Sequence, residues 1–143
     1  MTEMVPDDET VRDWSEMVTT QVFSQLVGKT PEDLLRGIGE KWVGGCPGTT
    51  HGDIINGNAN GYPVSMLLLR CPQLPSTGKP ETTLFRAIRG TKTPYLIQYA
   101  FRQQVTAVLI SKAAAYLVTV NVCDAGAVEH ACPDLAAEGF KKQ

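Results

Sequence analysis

Thiols and imidazoles are the side chains of this sequence with the most chemistry to offer. Four residues separate Cys46 from His51, and Cys123, His130 and Cys132 gather towards the C-terminal end. A thiolate beside a histidine makes a nucleophile, and a mixed Cys/His set can hold zinc in a tetrahedron. The spacing argues against zinc: ligand pairs typically lie about two to four residues apart. No Cys-x-x-Cys occurs here, and His130-x-Cys132 is too tight for such a knuckle.

The cysteines fit another role better. Cys46, Cys71 and Cys132 each precede a proline (Pro47, Pro72, Pro133). A residue before proline is pushed towards extended backbone, which puts these cysteines at loop edges. An even number of cysteines at loop edges in a small domain is the pattern of a disulfide framework. Four cysteines allow three pairings, and the sequence does not choose among them. The preferred set is Cys123–Cys132, a short loop containing Gly126, with Cys46–Cys71 as the second bridge. In the chain-entropy picture these stabilise by about 2.5–3 and about 3.5 kcal/mol respectively. Bridged sulfur neither attacks nor ligates, so no metal, cofactor or catalytic residue is expected.

Two compartments remain open. Oxidised cysteines point to a periplasmic or secreted protein. Asp7, Asp8, Glu9 and Asp13 stand where a basic and then apolar leader would lie. Either a leader has been removed, or the protein is cytoplasmic and its thiols are free. Other motifs dissolve on inspection. Gly78-Lys79-Pro80 lacks the upstream glycine and following hydroxyl of a phosphate loop, and Pro80 removes a donor. No Gly-x-Ser-x-Gly elbow is present. Asp7-Asp8 and Glu32-Asp33 suit a solvated arm and a positive helix end.

A chain of 143 residues, 43% hydrophobic and 20% charged, fits one folded domain rather than a disordered segment. Its longest wholly apolar run, Ala113 to Val118, falls far short of the roughly 18 residues of a membrane span. Residues 1–9 read as a loose acidic arm, and 10–143 as a single α+β domain. Thr10 to Phe23 alternates and favours a strand, with a helix through Val18 and Val22 as the alternative. Thr30-Pro31-Glu32-Asp33 starts a helix: a capping hydroxyl, proline at the first position and two carboxylates at the positive end. Leu34, Leu35, Ile38 and Trp42 continue it, and Gly44-Gly45 ends it. Cys46 to Gly61 reads as a long irregular loop. Tyr62–Cys71, Thr82–Arg89 and Tyr95–Arg102 are strands, the last two joined as a hairpin. Gln103 to Leu117 is a helix, with Val118 to Val122 either extending it or forming a short extended piece. The order β-α-β-β-β-α predicts an antiparallel sheet of about four strands, two main helices on one face, and disulfide staples.

Trp14-Ser15-Glu16-Met17-Val18-Thr19, Gly61-Tyr62, Cys71-Pro72, Gly78-Lys79-Pro80-Glu81 and Tyr95 resemble an uncharacterised family of small exported bacterial proteins, over about residues 10–133. The resemblance implies export and carries no activity or site residues. The element order is also similar to that of Mog1/PsbP-like α+β domains, a likeness of fold that says nothing of function.

Charge is unevenly distributed. From Ile54 to Cys123 the only acid is Glu81, against Arg70, Lys79, Arg86, Arg89, Lys92, Arg102 and Lys112. With Tyr95, Ile97, Tyr99 and Phe101 facing the core, Gln98 and Arg102 face outward. Arg70 and either Arg86 or Arg89 then join them on a solvated sheet face that attracts an acidic protein surface. The alternative is that acidic segments fold back over this face. The formal net charge of −2 and the lack of a recognisable module argue against nucleic acid.

The expected function is therefore a non-enzymatic protein-binding module, with an inhibitor or immunity role inside that class. Its candidate binding residues are Arg70, Arg86, Arg89, Arg102 and Tyr62, together with the 46–61 loop. Two other classes compete: a small Cys/His or zinc enzyme, and a ligand carrier with a pocket lined by Trp14, Trp42 and Tyr62. The oligomeric state is not legible.

Overall fold

The computed structural model describes residues 1–134. Among them are seven strands and two α-helices: β1 (Thr2–Met4), β2 (Glu16–Val22), α1 (Pro31–Gly45), β3 (Thr50–His51), β4 (Ile55–Ala59), β5 (Tyr62–Cys71), β6 (Glu81–Arg89), β7 (Pro94–Phe101) and α2 (Ala107–Leu117). A single 3-10 turn follows at Val128–His130. No helix among these residues is long and apolar enough to cross a membrane.

All strand pairings are antiparallel, in the order β1-β2-β7-β6-β5-β3, with β4 also on β5. The class is α+β, but the expected sheet of about four strands is corrected to seven. β2, β5, β6 and β7 are the four strands read from the sequence. β1 forms from the supposedly loose arm and pairs Thr2 to Thr20. β3 and β4 form inside what reads as an irregular loop.

The helices also lie on opposite faces, not on one. Leu34 and Leu35 of α1 pack on Leu67, Leu69, Phe85, Ala87 and Leu96. Ala113 and Leu117 of α2 pack on Tyr62, Val64, Leu84, Ile88, Ile97, Tyr99 and Phe101. Successive strand residues point to opposite faces, so the odd residues of β5 and β6 serve α1 and the even ones α2. A sheet covered on both sides leaves no solvated face, which is why Thr82 through Ile88 are buried without a break.

Local chemistry fixes the helix ends. The Thr30 hydroxyl accepts from the Asp33 amide at 3.0 Å, with Pro31 at the first helical position, and at the other end the Cys46 amide donates to Trp42 O. Thr106 caps α2 in the same way, accepting from Leu109 N at 3.2 Å, so this helix starts at Ala107 rather than Gln103. Beyond α2, 118–122 is neither helix nor strand.

The β4–β5 connection is a two-residue turn, Asn60-Gly61, with both φ positive at 49° and 77° and Ala59 opposite Tyr62. That is the primed geometry which the Asn-Gly dipeptide favours. Further back, β3 pairs with β5 in one register (Thr50 to Arg70) and β4 in another (Ile55 to Met66). The Gly52 amide still donates to Leu68 O at 3.1 Å, so Asp53 and Ile54 together oppose Leu67. β3 and β4 are thus one edge strand interrupted by a one-residue β-bulge.

Candidate functional site

The bulge borders a cleft of about 580 Å³ between α1 and the edge strand. Its floor is Leu35, Leu67 and Leu69, all buried. Val43 and Glu40 form the helix wall, while His51, Asp53 and Ile54 form the strand wall. An unbroken strand would send Asp53 and Ile54 to opposite sides of the sheet; the extra residue lets both line the cleft.

Both ends of α1 are anchored to β5. At the start of the helix, Glu32 accepts from Arg36 at 2.5 Å and from Asn56 Nδ2 at 2.8 Å, and Asn56 Oδ1 accepts from the Ser65 hydroxyl at 2.5 Å. At its end, Cys46 is bonded to Cys71. Between these anchors Gly39 lines the cleft, where a Cβ would meet only Leu67 Cδ2, at 3.8 Å. Glycine in a helix interior costs about 1 kcal/mol against alanine, and no close contact demands it here.

The cleft carries uncompensated charge. Glu32 is neutralised by Arg36. Glu40 and Asp53, on facing walls, have no ion-pair partner among the described residues. His51 Nδ1 lies 3.1 Å from the Gly52 carbonyl oxygen, and the tautomer that donates this bond from Nδ1 leaves Nε2 as an acceptor.

The residues singled out in the sequence are scattered. Arg86 is buried on the α2 side, where its Nε donates to Val120 O at 3.2 Å and Nη2 to Asn121 Oδ1 at 2.7 Å. Burial pushes its pKa down. Arg102 donates to Glu81 at 3.1 Å and lies 4.0 Å over the Trp14 ring. Arg70 and Arg89 are exposed but stand opposite Thr82 and Pro94, at the two ends of β6, about 23 Å apart along the strand. The expected basic sheet face is therefore not formed: one arginine is internal, one is paired, and two are far apart.

Tyr62 is also internal. It stacks on His130 with ring centroids 3.7 Å apart, and its hydroxyl lies 2.8 Å from that of Thr91. His130 Nδ1 is 2.8 Å from Asn60 O, and Asn60 Nδ2 donates to Val122 O and Ala131 O. The Cys123–Cys132 loop thereby grips the Asn60-Gly61 turn. Trp14, Trp42 and Tyr62 belong to three separate clusters, so they do not line one pocket together, as the alternative carrier reading required.

All four cysteines are paired as preferred, Cys46–Cys71 and Cys123–Cys132, and none is free. Neither Cys46 nor Cys132 is therefore a free thiolate beside its neighbouring histidine, and the two bridges suggest an oxidising environment. Among the described residues no three His, Cys, Asp or Glu side chains are placed to hold a metal ion. No protein-family model, curated protein or solved structure matches this chain. The site is thus defined by its geometry alone, and the residues that build it were legible in one respect: His51 and Asp53 fall in the 46–61 segment. Glu40, Val43 and Gly39 were read only as helix.

Proposed function

We propose that this chain is a non-enzymatic protein-binding module of an oxidising compartment, periplasmic or secreted, that holds its partner in the cleft between α1 and the bulged edge strand. The observation that carries this reading is the cleft itself: an opening of about 580 Å³ over a buried leucine floor, with Val43 exposed at its wall and Glu40 and Asp53 on facing walls without ion-pair partners among the described residues. A stretch of buried leucine bordered by exposed charge is the usual composition of a protein contact, apolar at its centre and polar at its rim. The two bridges and the resemblance to exported proteins support the address. The contact surface moves from the arginines to residues 51–54 and α1, which keeps part of the 46–61 segment in the role expected for it.

Photo-crosslinking tests this. A crosslinking amino acid replaces Val43, at the cleft, or Val108, exposed on α2. In a cell-envelope extract, position 43 is expected to give a discrete protein adduct and position 108 none. Equal labelling at both positions, or no protein adduct at 43, would contradict the proposal.

A further inference from the structure

We infer that the cleft's occupant is an extended protein segment anchored by a lysine or arginine, which adds a strand to the edge at β4. This rests on the reading above and names the partner's chemistry.

Two features of the cleft lead there. The first is its division into layers. A long cationic side chain has an aliphatic stem and a charged head, and it gains most where the stem lies on apolar surface while the head meets carboxylates. Val43, exposed on α1, and the half-buried Ile54 supply the apolar surface, over the buried Leu35, Leu67 and Leu69. Glu40 on α1 and Asp53 on the bulge supply unpaired negative charge from either side, while Arg36 is already engaged with Glu32. An acidic or neutral segment would leave both carboxylates facing it uncompensated.

The second is the free edge. Closure of the Asn60-Gly61 turn makes Ala59 and Tyr62 a hydrogen-bonded pair, so Gly57 and Ile55 also bond inward to β5. Asn56 and Asn58 must then turn their amide and carbonyl groups away from the sheet. Among the described residues nothing pairs with that side of β4. β4 also carries no charge and no proline, two of the usual guards of a free edge. An added strand would satisfy these groups, with alternate side chains directed to the α1 side. This main-chain component is what selects a protein segment over a free amine.

A displayed library of random heptapeptides, selected on the oxidised full chain, tests the inference. Lysine or arginine is expected at one position, flanked by residues suited to strands. The double variant Glu40→Lys/Asp53→Lys, both sites exposed and outside the core, is expected to weaken a selected peptide by at least about tenfold and to select acidic residues instead. Binding of that peptide should protect the Asn56 and Asn58 amides from exchange, and spermidine should not match its affinity. Acidic or purely apolar consensus, equal binding by spermidine, or unprotected amides would each overturn the inference. If the library fails while Val43 still crosslinks to a protein, the cationic strand is wrong and the cleft stands; if both fail, the underlying reading goes with it.

Discussion

The two sides of the sheet use the same kinds of residue to opposite ends. On the α2 side, polar groups are turned inward. Arg86 holds the segment after α2, and Tyr62, His130 and Asn60 lock the C-terminal loop. Glu16 accepts from the Tyr99 hydroxyl, with Lys112 Nζ 3.7 Å away. Burial first, and then this bond to Glu16, raise the Tyr99 pKa far above its usual range. On the α1 side the helix is tied at both ends and packs its inner face on the sheet, but a cleft separates it from the edge strand, with two carboxylates left unpaired on its walls. Charge enclosed by its own chain stabilises the fold. Charge left at the mouth of an apolar cleft is available to something else.

The comparison breaks most readily at the staples. Replacing Cys46 and Cys71 with alanine is expected to cost about 3.5 kcal/mol in urea unfolding, against about 2.5 for Cys123 and Cys132, following the loops of 25 and 9 residues that they close. Only the first pair should also loosen the cleft. Gly61→Ala attacks the clasp instead. Its Cβ would sit 2.8 Å from Glu129 O and 2.9 Å from His130 Nδ1, at a positive φ, so a loss of about 2–3 kcal/mol is expected in the same measurement. Arg86→Leu strips donors from Val120 O and Asn121 and should cost about 1–3 kcal/mol, with earlier exchange of the 118–122 amides.

These costs bear on what the sequence could disclose. Local signals were strong enough to place α1 at Pro31–Gly45 and β5 at Tyr62–Cys71, because capping, proline and turn chemistry act within a few residues. The preferred disulfide pairs are also those observed. The two-sided burial was not legible, since an arginine at 86 reads as a solvent marker until Val120 and Asn121 close over it. Assuming one solvated face then gathered Arg70, Arg102 and one of Arg86 and Arg89 onto a surface that does not form. The edge strand was hidden by its glycines and asparagines, although Asn60-Gly61 carried a hairpin signal. The bulge at Asp53-Ile54 is visible only from the register of both flanking pairings, and the cleft depends on it.

Smaller effects sharpen the contrast. The Thr83 hydroxyl is buried with no hydrogen-bond partner, so Thr83→Val should leave the fold intact and raise stability by about 1 kcal/mol. Glu40→Gln and Asp53→Asn should each shift the unfolding free energy by less than about 0.5 kcal/mol, as exposed sites without partners do. Their effect is reserved for binding. A side that stabilises and a side that recognises predict this split between stability and affinity.

Hydrogen exchange on the complex with the crosslink-identified partner tests the central claim most directly. Partner binding should protect amides in 36–43 and 51–58 while leaving those of α2, 107–117, unchanged. Protection concentrated on α2, with the cleft exchanging as in the free protein, would contradict the account.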